Sequence, residues 1–269
     1  MICFPNAKIN LGLNVVGRRQ DGYHDIETIF YPVPVRDALE VVESETFSFR
    51  QSGIPVDAPL EKNLVMRAMN LIEARYSLPA LGVHLLKEIP FGAGLGGGSS
   101  DGAYMLKLLN DFCRLGIPTD ELEQMAAELG ADCPFFIQNQ PVFASGTGNV
   151  FEKVTLSLRG YYLCLVKPDV AVSTSDAYGM ITPRRPEVSL REIAERPVRD
   201  WRGVMANDFE ACVFPVYPLI EEVKEALYEA GALYASMTGS GSSVFGLFDK
   251  AIDLRKRFPS FFVWEGVLP

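Results

Sequence analysis

The sequence is poor in the residues that build metal centres and disulfide frameworks. It holds two histidines, His24 and His84, and its five cysteines are widely scattered with no C-x-x-C pair among them. Neither a structural zinc site nor a disulfide framework is therefore expected. The cysteines are expected to be small buried residues of a reduced, cytoplasmic protein.

Further absences exclude several broad classes of protein. No apolar run approaches the roughly 20 residues of a membrane span, and the first residues lack the regions of a signal peptide. A formal net charge of −9 argues against a general binder of nucleic acid or anionic membranes, although local amides can still hold an anionic substrate. The 269 residues, 48% hydrophobic and 22% charged, suit one large globular domain or two smaller ones.

Glycine, in contrast, is concentrated in residues 90–101, PFGAGLGGGSSD. Five of seven consecutive residues there are glycine, and this density costs conformational entropy that needs a compensating reason. Ser99, Ser100 and Asp101 are good N-cap residues, and apolar residues then recur at helical spacing. Backbone amides before a helix form a phosphate cradle, so the stretch predicts an anion-binding loop leading into a helix over 100–113.

Two familiar phosphate motifs do not account for this loop. Gly92, Gly94 and Gly97 match G-x-G-x-x-G, but Pro90 breaks the buried strand that a dinucleotide site requires before its loop. A P-loop requires a lysine directly before its hydroxyl residue, and no lysine precedes Ser99. A dehydrogenase is therefore a distant alternative.

An alternating segment near the start predicts a strand with one apolar and one polar face. Residues 7–15 alternate with period two, so Lys8 and Asn10 point the same way, about 6.6 Å apart. Most polar strand faces are solvated. A lone lysine beside asparagines and Gly12 instead favours a face that holds a substrate.

Hydrophobic periodicity and turn signals locate the other elements. The predicted helices cover 63–76 with Asn63 as N-cap, 119–129 and 217–230. The predicted strands begin at Tyr23 and cover 39–42, 47–49, 82–89, 163–166 and 171–172, with loops at 51–59 and 182–188. A turn-rich stretch indicates a boundary near 153–160, giving domains 1–155 and 156–269.

Three more segments carry residues whose roles the local pattern leaves open. Tyr23 and His24 follow a tight turn, and by themselves they favour a packed rim over a ligand contact. Asp132 lies past a helix end, where a turn-forming role and a general-base role are equally supported. Residues 236–248 form a second loop of glycines and hydroxyls, which together with the first fits phosphates held from both halves.

Three stretches together resemble the motifs of the GHMP small-molecule kinases, and the resemblance spans nearly the whole chain. They are residues 5–11 (PNAKINL), 90–103 and 237–241 (MTGSG). Residues 17–24 (GRRQDGYH) and 130–135 (GADCPF) are similar to the members that use ATP to phosphorylate the C2 hydroxyl of CDP-methylerythritol. Those members act in the non-mevalonate isoprenoid pathway.

The resemblance implies an α+β fold of two domains. The N-terminal ATP-binding domain resembles ribosomal S5 domain 2, the C-terminal domain is ferredoxin-like, and the active site lies in the cleft between them. The implied partners are small molecules, CDP-methylerythritol and ATP with Mg²⁺, and neither nucleic acid nor a membrane. The protein is expected to be a monomer or a homodimer.

The resemblance also implies residue roles by position. Asp132 is the implied general base and Lys8 its charge-stabilising partner. The implied substrate contacts are Asn10 to the erythritol unit, Tyr23 and Tyr178 around cytosine, His24 at the cytosine edge, and Thr174. The implied ATP contacts are Pro90, Gly92, Ala93, Gly94, Leu95, Gly96, Gly97, Gly98, Ser99, Ser100, Gly239, Ser240 and Gly241, with Ser100 also indirectly near Mg²⁺.

Two departures from the family pattern and three alternatives remain. Gly102 stands where alanine is usual, which is expected to loosen the helix start by about 1 kcal/mol. Residues 167–169 read KPD where His-Pro-Gly is common. The alternatives are a homoserine-type kinase, a mevalonate-type kinase, and a non-catalytic nucleotide-binding protein on the same fold.

Overall fold

The structure is a computed structural model that describes residues 1–55 and 59–269. The predicted loop at 51–59 therefore lies partly outside the described residues. The strands are β1 (Ile2–Cys3), β2 (Asn6–Arg18), β3 (His24–Arg36), β4 (Ala38–Glu43), β5 (Ser48–Gly53), β6 (Leu81–Lys87), β7 (Val142–Ser145), β8 (Val150–Lys153), β9 (Tyr162–Lys167), β10 (Tyr234–Met237), β11 (Val244–Phe248) and β12 (Phe262–Val267). The helices are α1 (Leu64–Glu73), α2 (Gly97–Phe112), α3 (Thr119–Leu129), α4 (Phe135–Gln138), α5 (Thr174–Met180), α6 (Leu190–Ala194), α7 (Glu210–Val213) and α8 (Pro218–Glu229), with 3-10 turns at Leu60–Lys62 and Val198–Asp200.

The chain divides into two compact units, each built from several stretches. The first unit comprises Met1–Ala7, Val35–Phe91 and Gly96–Gln140, and the second comprises Lys8–Pro34, Gly92–Leu95 and Pro141–Pro269. The predicted domain boundary after residue 155 divides the chain at a single point, whereas each compact unit is built from several stretches, and this boundary stays a prediction. In the described part of the chain, no helix is long and apolar enough to cross a membrane.

The first unit packs helices on a four-stranded sheet of order β1-β4-β6-β5. Strands β5 and β6 run parallel, and the other neighbours run antiparallel. Helix α2 contacts α1, α3, α4 and β4, so it forms the centre of the helical layer. Its inward residues Ala103, Leu106 and Leu109 are completely buried, as periodicity predicts for a core helix.

The second unit contains two four-stranded sheets, β2-β3-β7-β8 and β10-β11-β9-β12. In the second of these sheets all neighbouring strands are antiparallel, and α8 packs on β10 and β11. Its core includes Val166, Phe209 and Ile220, all fully or almost fully buried. Such apolar burial is the main favourable contribution to folding.

Several predicted elements are confirmed. Helix α1 begins directly after Asn63, whose side chain accepts a hydrogen bond from Val65 N at 2.9 Å, as an N-cap should. The predicted strand over 82–89 is β6, shifted by two residues or fewer at each end. Residues 182–188 contain neither helix nor strand, in agreement with the predicted loop.

The predicted start of helix α2 is wrong. Its N-cap is Gly96, with φ of 68° and no side-chain hydrogen bond, and the helix begins at Gly97. The predicted caps Ser99, Ser100 and Asp101 lie inside the helix. A left-handed glycine makes the turn that a hydroxyl cap was expected to make.

Two strand predictions are also corrected. Residues 171–172 form no strand, and the chain just before them makes a tight turn in which Val170 N donates to Pro168 O at 2.7 Å. The strand predicted over 47–49 is β5, which continues to Gly53 and so takes the first part of the predicted loop. Parallel pairing with β6 extends it, a long-range effect that the local polar sequence hides.

Gly102 has a packing role that the sequence did not indicate. A Cβ atom at this position would lie 3.0 Å from Leu64 Cβ and 3.4 Å from Leu129 Cδ1. The missing side chain therefore lets α2 approach both neighbouring helices closely. The expected loosening of the helix start is accompanied by tighter contact between helices.

Candidate active site

The polar face of β2 is buried instead of solvated. Lys8 and Asn10 are 4% and 1% exposed. Lys8 Nζ donates to Asn10 Oδ1 at 2.7 Å, Asn10 Nδ2 donates to Thr28 Oγ1 at 2.8 Å, and Thr28 Oγ1 donates to Gly12 O at 2.5 Å. Lys8 Nζ also lies 4.6 Å from the centroid of the Phe30 ring. This chain of hydrogen bonds holds the ammonium group in one position.

The three motifs found in the sequence meet in the second unit. Lys8 N donates to Leu95 O at 2.9 Å, which joins the first motif to the glycine loop. The Thr238 hydroxyl accepts from Asn10 N at 2.9 Å and donates to Gly94 O at 3.1 Å. One hydroxyl of the third motif therefore connects both of the others.

Glycine is required at position 94 on two grounds. Gly94 has φ of 75°, a left-handed conformation that L side chains rarely adopt. A Cβ there would lie 2.1 Å from Thr238 O, far inside contact distance. The close approach of the first loop to the third motif therefore depends on this residue.

Asn207 supports the third motif and was missed in the sequence. Its side chain is 2% exposed, and Nδ2 donates to Met237 O and to Gly239 O, both at 2.8 Å. Its Oδ1 accepts from Phe209 N at 3.1 Å. The two carbonyls of the third motif lie 30 and 32 residues away in sequence, so no local pattern could have indicated this role.

A buried ion cluster in the first unit joins the strand that precedes the glycine loop to the helix that follows it. Lys87, Asp37 and Asp101, here named the Lys87 cluster, are 3%, 1% and 3% exposed. Lys87 Nζ donates to Asp101 Oδ2 at 2.6 Å and also to Asp37 Oδ2. Asp37 Oδ1 accepts from Glu88 N at 2.6 Å and Ile89 N at 2.8 Å. The cluster thus ties the chain entering the loop to the helix leaving it.

Burial sets the protonation behaviour of the Lys87 cluster. Burial raises the pKa of Asp101 well above its ordinary value, and the charge of Lys87 opposes this effect. Burial lowers the pKa of Lys87, but the charges of Asp101 and Asp37 outweigh it and leave that pKa raised. Two buried carboxyl groups therefore share one buried ammonium group.

The first turns of α2 are tightly packed and carry buried polar atoms. A Cβ on Gly97 would lie 2.8 Å from Ile89 Cγ2 and 3.4 Å from Lys87 Nζ, so the Lys87 cluster fits against a glycine. Ser100 Oγ and Asp101 Oδ1 are buried and have no hydrogen-bond partner within residues 1–55 and 59–269. Such atoms are rare in folded proteins and indicate either a functional role or a partner supplied on binding.

Asp132 lies in the first unit, in a half-buried turn between α3 and α4. The next residue, Cys133, is buried, and burial raises the pKa of its thiol to about 12 against the effect of a hydrogen bond with Ser99. The segment that carries Asp132 therefore touches the first turn of α2. Its role as a base stays a prediction.

Four of the five predicted substrate contacts line one cavity of about 690 Å³ in the second unit. They are Tyr23, His24, Thr174 and Tyr178. The His24 and Tyr178 rings stack with centroids 5.0 Å apart at 26°, whereas Tyr23 is 67% exposed. Further lining residues that the sequence did not indicate are Arg18, Thr147, Ser175, Ile181, Thr182 and Pro183.

The aromatic cavity is joined to the third motif by a pair of hydroxyls. Thr174 begins α5, and its Oγ1 lies 3.0 Å from Ser240 Oγ, at hydrogen-bonding distance. Thr174 is a predicted substrate contact and Ser240 a predicted ATP contact. The second unit therefore brings one predicted contact for each ligand side by side, and the separation of 66 residues explains why no local pattern joins them.

Comparison with known proteins decides the family. The profile of the GHMP kinases N terminal domain matches residues 63–147, and that of the GHMP kinases C terminal domain matches residues 189–263. A protein of Parabacteroides distasonis named 4-diphosphocytidyl-2-C-methyl-D-erythritol kinase is 66% identical over 270 residues, which is 100% of each chain. The chain belongs to the 4-diphosphocytidyl-2-C-methyl-D-erythritol kinases of the GHMP family. The predicted family is confirmed.

Solved structures agree with this membership. A crystal structure of 4-(cytidine 5'-diphospho)-2C-methyl-D-erythritol kinase is 31% identical with a TM-score of 0.84, covering 99% of this chain and 98% of that one. A homoserine kinase from Cytophaga hutchinsonii has a TM-score of 0.70 at 18% identity, covering 99% and 93%, and shows the fold alone. The predicted α+β GHMP fold is confirmed, and as a member of this family the chain is a kinase with ATP as co-substrate.

Proposed function

We propose that the chain transfers the γ-phosphoryl group of ATP to the C2 hydroxyl of 4-diphosphocytidyl-2-C-methyl-D-erythritol. The products are the 2-phosphate and ADP, in the non-mevalonate route to isoprenoid precursors. The observation that carries the proposal is the aromatic cavity joined to the third motif through Thr174 and Ser240. A cavity with stacking rings suits a pyrimidine base, which neither homoserine nor mevalonate possesses.

The glycine loop and the start of α2 bind the triphosphate of ATP. The backbone amides of Gly97, Gly98 and Ser99 stand at the start of α2, where a helix leaves its N–H groups without an intrahelical partner, and they donate to the anion together with amides of the loop. The Ser100 amide already donates to Gly96 O at 2.8 Å, and the positive end of the helix dipole adds attraction. Gly239, Ser240 and Gly241 hold the nucleotide from the third motif. The contact of Thr238 with Gly94 supports this assignment, because it brings the two loops together before ATP arrives.

A Mg²⁺ ion would be held here together with ATP. Among the described residues, no group of three His, Cys, Asp or Glu side chains could hold a metal ion, so the phosphate oxygens supply most of its ligands. The unpartnered Ser100 Oγ fits an indirect contact to such an ion, once the loop adjusts around the nucleotide. Bound Mg²⁺ neutralises charge on the phosphates during transfer.

Asp132 and Lys8 carry the chemistry in this proposal. The Asp132 carboxylate takes the proton of the C2 hydroxyl while that oxygen forms its bond to the γ-phosphorus. The bond from the γ-phosphorus to the bridging oxygen breaks, and ADP leaves with the electron pair. The ammonium group of Lys8 stabilises the negative charge on the transferred group, and its hydrogen bond to Asn10 keeps it positioned.

The cytosine ring binds in the aromatic cavity. Tyr178 already stacks on His24 and packs edge-on against Phe209, with ring centroids 4.8 Å apart, so its ring is fixed before substrate binds. The exposed Tyr23 closes on the other face of the base. Asn10 holds the erythritol unit beside Lys8.

A substrate panel tests the proposal. Purified protein with ATP and Mg²⁺ is offered the cytidine diphosphate substrate, homoserine and mevalonate in parallel, and phosphate transfer is measured by release of ADP. We expect turnover of the first substrate and no more than trace turnover of the others. Equal or faster turnover of homoserine or mevalonate contradicts the proposal.

A further inference from the structure

Helix α2 holds the segment that carries Asp132 through a lysine outside the sequence motifs. Lys107 lies in the third turn of α2, and its Nζ donates to Phe136 O at 3.4 Å and Ile137 O at 3.2 Å. These carbonyls belong to α4, which ends at Gln138 and so has no further turn whose N–H groups could donate to them. A lysine at this end satisfies such groups and complements the helix dipole.

A polar cluster beside Lys107 strengthens the same connection. Tyr104 OH donates to Asn6 Oδ1 at 2.8 Å, and Asn139 Nδ2 donates to the same oxygen at 2.8 Å. Asn6 Nδ2 donates back to Asn139 Oδ1 at 3.1 Å. Asn139 ends α4 in the left-handed conformation with φ of 55°, and its side-chain hydrogen bonds tie this end of α4 to Asn6 and Tyr104.

The Tyr104 ring links the hydrogen bonds of Lys107 to the polar cluster of Asn6 and Asn139. Lys107 Nζ lies 4.5 Å from the centroid of that ring, within the range of a cation–π contact. Burial lowers the pKa of Lys107, in keeping with a partly desolvated ammonium group. At the start of the same helix, Ser99 bonds to Cys133, the residue that follows Asp132.

We infer that Lys107 and Tyr104 are positioning residues, which hold Asp132 in place for phosphoryl transfer by fixing α4 to the helix of the phosphate loop. The inference rests on the proposed role of Asp132. Because the loop precedes α2 and the turn of Asp132 precedes α4, a shift of α4 along α2 displaces the base relative to the γ-phosphate. Small displacements of this kind reduce rates strongly.

Lys107→Met and Tyr104→Phe test the inference, because each keeps most of the side-chain volume. We expect kcat to fall about tenfold in Lys107→Met and about threefold in Tyr104→Phe, with the KM for ATP within about twofold of wild type. Tyr76→Phe is the matched control. It removes a phenol bonded to Glu121 at 3.3 Å in the same unit, outside the α2–α4 contact, and kcat should be unchanged.

Measurements in the Asp132→Asn background separate a positioning role of Lys107 from a general structural role. Single-turnover rates are measured for Asp132→Asn with and without Lys107→Met, at enzyme concentrations high enough to detect slow transfer. If Lys107 acts through Asp132, the second change produces no further loss. An equal loss in both backgrounds, or wild-type kcat in Lys107→Met alone, overturns the inference.

The same experiment keeps the two proposals distinguishable. Wild-type turnover by Asp132→Asn removes the base from the proposed function, whatever Lys107→Met does. Slow turnover by Asp132→Asn with normal turnover by Lys107→Met retains the base and overturns the positioning role. Thermal unfolding of each variant shows whether a slow enzyme is still folded at the assay temperature.

Discussion

The two regions that carry site residues are supported in different ways. In the first unit, the start of α2 is held by the Lys87 cluster, whose three residues are at most 3% exposed. In the second unit, the aromatic cavity is lined by half-buried or exposed rings, of which Tyr23 is 67% exposed. A change in the buried charges should therefore affect folding first, whereas a change in the cavity should affect binding alone.

The largest effect is expected from Lys87→Met. It leaves Asp37 and Asp101 buried without their cation, so the free energy of unfolding should fall by about 3–5 kcal/mol. Denaturant unfolding measures the change, with Lys62→Met as an exposed control expected within about 0.5 kcal/mol of wild type. A loss below about 1 kcal/mol for Lys87→Met would remove the contrast between the two regions.

A smaller effect is expected from Gly94→Ala, which acts where the two loops meet. The new Cβ would stand 2.1 Å from Thr238 O, so the loop must move. We expect kcat/KM for ATP to fall by at least about tenfold, equivalent to about 1.4 kcal/mol. Gly116→Ala also places alanine at positive φ, but in open space, and should leave kcat/KM for ATP unchanged. An equal fall in kcat/KM for ATP in both variants would mean that strain at positive φ alone causes the loss, without the contact to Thr238.

Tyr23→Ala tests the cavity side of the comparison. Loss of one stacking partner should cost about 0.5–1.5 kcal/mol, which raises the KM for the cytidine substrate about twofold to tenfold. The KM for ATP and the free energy of unfolding should stay at wild-type values, because the ring is largely exposed. Phe47→Ala removes another exposed ring, outside the cavity, and serves as control. An unchanged KM for the cytidine substrate in Tyr23→Ala argues against stacking of Tyr23 on the cytosine ring.

The smallest effect is expected from Asp101→Asn, and its sign depends on pH. Because the pKa of Asp101 is raised in the folded protein, the carboxyl contributes stability below its unfolded pKa of about 3.9 and loses it as pH rises. The amide has no proton to lose. The free energy of unfolding of the variant, relative to that of wild type, should therefore increase from pH 5 to pH 8. Unfolding curves at both pH values measure this, and a relative loss at pH 8 contradicts the assignment.

Local patterns predicted the parts of the site that are continuous in sequence. Alternation over residues 7–15 gave β2, and the glycine density gave a loop that leads into α2. The hydroxyls at 99–100 are nevertheless not caps, because Gly96 turns the chain without a side-chain hydrogen bond. Propensity identifies a helix better than its first residue.

The supports of the site could not be predicted, because their partners are distant in sequence. Lys87 and Asp37 are separated by 50 residues, and Asn6 and Asn139 by 133. A lysine at the end of a largely apolar strand is a local signal, and it does not identify its partners. The burial of the polar face of β2 likewise follows from packing against later segments, such as the Thr238 loop.

Turnover by Asp132→Asn tests the central claim most directly. The amide keeps the shape of the side chain but cannot accept the hydroxyl proton, so kcat should fall by about 10²–10⁴. The KM values for ATP and for the cytidine substrate should stay close to wild type, because the loop and the cavity are intact. Wild-type kcat in this variant would contradict the account.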